Sequence, residues 1–200
     1  GGNVLLRANT TGRAVNRRIT LDGREVVIKF GESEGAVFAL SVTDLSLNIA
    51  AVVSIEGDIS FSSATVDGKS VDTFAGKNLD VFFGDGPATL ENDEPNPLAR
   101  GILLENATIG LIREEGTGES DDSFALDSQG TVQLVGFEAV SISGEVRVRV
   151  NSFTAGDFTN GKIDETLTIP GTEQDVFVTF DSIDEFGDAN APFSSFEGLG

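Results

Sequence analysis

The apolar residues of this chain recur at every second position almost throughout, and that period constrains the fold more than any other feature. "EVRVRVN" sets Val146, Val148 and Val150 on one face and Arg147 and Arg149 on the other. "DISFS" alternates Ile59 and Phe61 with Asp58, Ser60 and Ser62. "LSLNI" gives Leu45, Leu47 and Ile49, and "VFVTF" gives Val176, Val178 and Phe180. A period of two sends successive side chains to opposite faces of a pleated strand, so one face is buried and the other is wet. Val, Ile, Thr and Phe suit such a surface. The 24 glycines, often beside Asp, Asn, Ser or Thr, read as turns between the strands. The pattern predicts an all-β chain with strands near residues 3–8, 18–22, 25–30, 37–42, 45–56, 58–66, 78–83, 102–105, 107–113, 123–127, 130–135, 138–143, 144–151, 164–169, 175–181 and 194–198. The best helical candidate is a single turn opened by Pro97 in "NPLARGILLENA". Val146, Val148 and Val150 are expected to face a core with Val132, Leu134 and Ile142, and Arg147 and Arg149 to face water.

Missing residue types narrow the chemistry. The 200 residues can bury a core without covalent staples. Cys and His are both absent, which excludes disulfides, thiolate zinc sites, a Ser-His-Asp triad and a Cys-His pair. Met, Trp and Tyr are also absent, while Phe occurs 15 times. Such a chain offers little that oxidises easily and few groups for acid-base or nucleophilic work. Two carboxylates could flank a glycosidic bond, but the Trp and Tyr platforms that seat sugars are missing. No enzyme is expected. A net charge of −20 repels nucleic acid and anionic membranes but leaves divalent cations and basic partners open. No apolar run approaches the roughly 18 residues of a membrane span.

Internal likeness is the main organisational signal. "SIEGDISF" at 54–61 lies over "SISGEVRV" at 141–148, an offset of 141 − 54 = 87. "FALSVTDLSL" at 38–47 lies over "FALDSQGTVQL" at 124–134. A longer offset also runs through the chain. "LRANTTG" at 6–12 resembles "VRVNSFTAG" at 148–156, with Asn9 over Asn151. "ITLDGREVVIKF" at 19–30 resembles "LTIPGTEQDVFVTF" at 167–180, with Phe30 over Phe180. "FALS" at 38 then meets "FEGL" at 196. These matches predict tandem β-modules, as a β-sandwich or an elongated β-meander or solenoid. Residues 1–37 read as the end of a repeat unit and an assembly segment, 38–123 as a first half-repeat, and 124–200 as a second with an acidic C-terminal segment.

The strings "NPLARGILLENATIGLI" (96–112), "FALDSQGTVQLVGFEAVSISGEVRVRVN" (124–151) and "ETLTIPG" (165–171) resemble the repeat module of giant secreted bacterial surface proteins, adhesin-like chains often found with haemolysin-type calcium-binding segments. "RANTTGRAVNRRITLDG" (7–23) is similar to the same module's Asn-Thr-Thr-Gly segment. The resemblance implies an extracellular or cell-surface location and an elongated β-rich repeat. It implies no activity.

Two sets of residues carry the functional expectations. In "FFGDGPATLENDEPNP" (82–97), Asp85, Glu91, Asp93 and Glu94 are hard oxygen ligands on a glycine-bent loop, which makes calcium the candidate cofactor. A calcium-dependent adhesin, or a module binding a surface glycan, follows from that loop. The second set concerns charge polarity. Residues 1–30 hold six bases, Arg7, Arg13, Arg17 and Arg18 among them, against two acids, a net of +4. Residues 157–200 hold ten acids, Asp175, Asp181, Asp184 and Glu185 among them, against Lys162, a net of −9. Opposite charge at the two ends suits a head-to-tail contact between copies, which propagates unless rotation closes it. The leading expectation is therefore a structural subunit of an extracellular filament, sheath or surface layer.

Overall fold

The computed structural model describes residues 2–32, 35–49, 52–66, 68–90, 94, 96–116, 122–137, 143–153, 163–180 and 193–199. The chain is nearly all β, without a helix among these residues. Its strands are β1 (Asn3–Asn9), β2 (Val15–Leu21), β3 (Arg24–Phe30), β4 (Val37–Ile49), β5 (Val53–Val66), β6 (Lys69–Asp85), β7 (Arg100–Glu114), β8 (Ser123–Val135), β9 (Ser143–Asn151), β10 (Ile163–Thr168), β11 (Asp175–Phe180) and β12 (Phe193–Leu199). Eight of them form one antiparallel sheet in the order β1-β4-β5-β6-β7-β8-β9-β12. Two hairpins, β2-β3 and β10-β11, stand apart from its ladder. β7 and β8, which begins at Ser123, are hydrogen-bonded neighbours in that sheet.

The strands are longer and fewer than the glycine and asparagine punctuation predicts. β6 runs 17 residues through "GKN", and β7 runs 15 through "EN", where the sequence pattern predicts breaks. The register shifts by a bulge between Gly76 and Leu79, between Glu105 and Thr108, and between Val42 and Leu45. Asp44, Asn78 and Asn106 adopt left-handed φ of 54°, 50° and 50° at these places. Asn and Asp tolerate that conformation, which inserts one extra residue and lets the strand continue. The predicted strand at 138–143, Ile142 included, falls mostly on residues outside those described. Pro97 opens no helix: Leu98 N–H donates to Asn96 Oδ1 and Ala99 N–H to Asn96 O, which makes a turn.

The core lies between one face of the sheet and the β10-β11 hairpin. Ile163, Leu167, Ile169, Val176, Val178 and Phe180 of that hairpin region bury against Val71 and Ala75 of β6, Ile112 of β7 and Ala125 of β8. Gly110 of β7 makes this approach close, because a Cβ there would collide with Val178. The hairpin's tip reaches further along the sheet: Ser60 Oγ donates to Thr168 O on one side and Ser41 Oγ to Pro170 O on the other.

This seat reverses one expectation. Arg147 and Arg149 face the hairpin rather than water. Both donate to Asp127, Arg147 at 2.9 and 2.7 Å and Arg149 at 3.2 Å. Arg149 also donates to Thr179 O and lies 4.5 Å above the Phe180 ring. Val146, Val148 and Val150 point to the sheet's other face and are only half-buried. Alternation alone sorts residues into two sets. It cannot say which set is covered when a charged set brings its own buried counter-ion.

Candidate assembly surfaces

Three features of the fold are left uncovered by the described residues: the sheet's two edges, one face, and the β2-β3 hairpin. β1 is one edge strand and β12 the other. All seven ladders between them are antiparallel, so strand direction alternates across the sheet. The first and last strands therefore run in opposite directions. A β12 edge laid against the β1 edge of another copy would make one more antiparallel pair. Natural sheets blunt such edges with prolines, inward charges or covering loops. β1, "NVLLRAN", has none of these except Arg7, and Val4, Leu5 and Leu6 on it are exposed. β12, "FSSFEGL", carries Phe196 at 74% exposure.

The face opposite the β10-β11 hairpin carries mostly apolar cross-strand rows, one of which runs from edge to edge. One cross-strand row reads Leu6, Leu40, Phe61, Phe74, Leu111, Leu126 and Val150. The next reads Val4, Val42, Ile59, Gly76, Ile109, Ser128, Val148 and Phe196. β8 runs without a bulge, so Val132 and Leu134 share the face of Leu126 and bring two further rows with them. These are Leu47, Ile55, Val81, Leu104 and Val132, then Ile49, Val53, Phe83, Ile102 and Leu134. No described element packs over these rows. Phe61, Phe83 and Ile102 are exposed, and Leu40, Phe74, Leu111 and Leu126 are half-buried. Alternation alone marks this face as the one to bury, because on the strands the opposite face carries Ser41, Ser60, Thr73, Thr108 and Asp127 among Val71, Ala75, Gly110, Ile112 and Ala125, and its apolar cover comes from the hairpin.

The β2-β3 hairpin repeats the local design of β10-β11 without its seat. In both, the sheet strand that precedes the hairpin ends on a buried asparagine. Asn9 Oδ1 accepts from Thr11 N–H at 3.1 Å, and Asn151 Oδ1 accepts from Phe153 N–H at 3.1 Å. In both, an arginine two positions earlier lies over a phenylalanine ring, Arg7 over Phe30 at 5.0 Å and Arg149 over Phe180 at 4.5 Å. Each arginine also donates to the carbonyl before that ring, at Lys29 or Thr179. The registers agree: Val15, Arg17 and Ile19 face Phe30, Ile28 and Val26, as Ile163, Glu165 and Leu167 face Phe180, Val178 and Val176. These are the positions that the longer sequence offset brings together. The flanking strands close the likeness, with Asn9 opposite Val37 and Asn151 opposite Phe193. That spacing is shorter by two positions than the match of Phe38 with Phe196, and an even shift leaves each side chain on its face. Yet Leu167, Val176 and Val178 are buried while Ile19, Val26 and Ile28 are exposed. β2 and β3 pack chiefly on each other.

The charged residues singled out from the sequence fall at several places. Arg7 lies on β1, Arg13 in the turn before β2, and Arg17 and Arg18 on β2, so they cluster at the β1 edge. Arg18 pairs with Glu25 at 2.7 Å across the hairpin, with both side chains more than half exposed. Asp175 starts β11, where its Oδ1 accepts from Thr168 Oγ1, and it belongs to the seated hairpin rather than to the β12 edge. Asp181, Asp184 and Glu185 lie outside the described residues. In the acidic loop, Asp85 ends β6 opposite Arg100, and Glu94 O accepts from Leu90 N–H at 2.8 Å. Glu91 and Asp93 lie outside the described residues. Among the described residues, no three acidic side chains come together as a metal-holding group. A cavity of about 350 Å³ beside this loop is lined by Glu56, Asp80 and Glu105 with Phe82 and Leu103. Two of its carboxylates already have partners: Asp80 accepts from Asn106 N–H, and Glu105 from Gln133.

A salt-bridge clamp joins β6 and β7 to Asp122, just before β8. Arg113 bridges Asp72 at 3.0 Å and Asp122 at 2.6 Å. Asp122 also accepts from Gly116 N–H at 3.0 Å. The Gly116 amide, then the Arg113 guanidinium, hold the Asp122 carboxyl below its ordinary range. No described helix is long and apolar enough to cross a membrane. Set against protein-family models, curated proteins and solved structures, the chain matches no family model, no curated protein and no solved structure.

Proposed function

We propose that this protein is a structural subunit of an extracellular filament, sheath or surface layer, and that copies join head to tail by pairing the β12 edge of one with the β1 edge of the next. The observation that carries the reading is the alternating eight-stranded sheet whose two edge strands, on opposite sides, pair with no further strand among the described residues. Such a contact is heterologous, so each addition regenerates the same free edge and growth continues. Main-chain hydrogen bonds supply the affinity, as in other cases of strand addition. The apolar row from Val4 to Phe196 would run on through the junction.

Charge supports the same polarity. The basic β2-β3 hairpin stands at the β1 edge, and Glu197 stands on β12. Opposite charges would steer the approach and set its direction, while the strands provide the hold. The shared design of the two hairpin ends fits a tandem-array origin for the subunit. A chain without Cys or Met also suits an oxidising exterior.

A proline scan tests the reading. Along β1, alternate amides point to β4 and to the free side. Proline at an outward amide removes a donor needed by the incoming strand and leaves the β1-β4 ladder intact. Substitutions across residues 4–7 should therefore include variants that keep the far-ultraviolet β signal of the subunit and no longer elongate. If every variant that folds also assembles at the wild-type rate, edge pairing is not the mode of growth.

A further inference from the structure

We propose that the open apolar face of the sheet is a second self-association surface, on which two copies stack face to face as a two-layer sandwich. The size of the face argues for it. With strands about 4.8 Å apart and about 6.7 Å of strand per row, the two rows that cross seven or eight strands and the two that cross only β4 to β8 cover on the order of 700 Å². Monomeric proteins seldom expose a contiguous apolar patch beyond about 300–600 Å². A standard interface buries about 600–1,000 Å² on each partner, so this face has the size that one needs.

Its chemistry selects the partner. The centre is aliphatic and aromatic, with Leu40, Phe61, Phe74, Leu111 and Leu126 in one row. Asp72 and Arg113, the charges beside this row on β6 and β7, already pair with each other at 3.0 Å. An identical face therefore meets it without an unpaired charge at the centre of the contact. A pleated apolar surface fits another sheet, because two sheets pack about 10 Å apart with their side chains interdigitated. The opposite face cannot serve, since the β10-β11 hairpin and the turn at 86–90 occupy it. Continuity across the edges adds a further reason: Val4 and Phe196 carry the apolar surface to both open edges, so a row of joined copies presents one unbroken stripe to a second row.

Stacking adds a layer and edge pairing adds length, so the two contacts are separable. The test uses wild-type protein and one edge-proline variant that folds but does not elongate. Each is followed by light scattering and by hydroxyl-radical footprinting across a wide range of protein concentration. The inference expects the non-elongating variant to pass from single to double mass. Over the same range, Phe61, Phe38 and Phe124 should become at least several-fold less reactive, while Phe177 on the hairpin's outer side keeps its reactivity. A second variant, Phe61→Glu added to the non-elongating variant, should stay at single mass with the far-ultraviolet spectrum unchanged. If Phe61→Glu fails to fold, the footprint of the non-elongating variant still decides. A single mass at every concentration overturns the inference. So does a doubled mass with Phe61 still reactive, or protection of this face only when detergent micelles or lipid vesicles are added. Failure of every edge-proline variant to stop growth would strike the head-to-tail reading instead.

Discussion

At the residue scale, Asp127 is the electrostatic centre of the covered face. It is buried, and it takes both Arg147 and Arg149 as partners. The hydrogen bond from Arg147 to Asp127 raises that guanidinium above its already high value. Removing the carboxylate leaves two guanidiniums close together under a hairpin, one of them holding Phe180 and Thr179. Asp127→Ala should cost about 2–3 kcal/mol by chemical denaturation of the single subunit. Val148→Asp, on the open face, should cost less than Asp127→Ala under the same conditions. The reverse order would mean that the faces of β9 are exchanged. Sequence alternation by itself implies that reverse order, because two arginines at alternate positions look like a wet face until their acid is found on the neighbouring strand. The Arg113 clamp gives a pH signature. Asp122 has a lowered pKa, so its contribution is complete above the ordinary carboxylate range and is lost as pH falls through the depressed value. The Gly116 amide resonance should therefore titrate with an apparent pKa below about 3.9. A midpoint at or above that value would mean that the bond to Asp122 is not formed.

At the element scale, the seat of β10-β11 rests on small residues beneath it. Gly110 leaves the space that Val176 and Val178 fill. Gly110→Val should force the hairpin off the sheet and destabilise the subunit by about 1–3 kcal/mol, read as a lower urea midpoint. An unchanged midpoint would show that the hairpin does not sit on β7. The all-β class, the alternation and the likeness of the two hairpin ends were legible in the sequence, since each needs only local order and spacing. Strand lengths were not. Asn78, Asn106 and Asp44 carry the residue types of turns but act as bulges, and only the neighbouring strands decide between the two. The difference between the two hairpins was also hidden. Ile19, Val26 and Ile28 are as apolar as Leu167, Val176 and Val178, and what separates them is whether a sheet lies beneath.

At the scale of the whole molecule, the account rests on a sheet that does not end. Charge should govern how fast it grows. Reversing Arg13, Arg17 and Arg18 to Glu should slow elongation at low salt without lowering the urea midpoint. Raising the salt should slow the wild type too, because exposed charges are screened over about 8 Å at physiological ionic strength. Equal elongation rates for the reversed and wild-type chains at low salt would make the basic hairpin incidental. Fibre diffraction from assembled, aligned protein tests the central claim most directly. If β12 pairs with β1, every strand lies across the fibre axis and the hydrogen bonds run along it. The pattern should then show a meridional reflection at about 4.7–4.8 Å, together with a longer axial repeat of eight such spacings, one per subunit. Fibres whose strands run along the axis, or whose axial repeat is not close to eight strand spacings, would contradict edge-to-edge assembly.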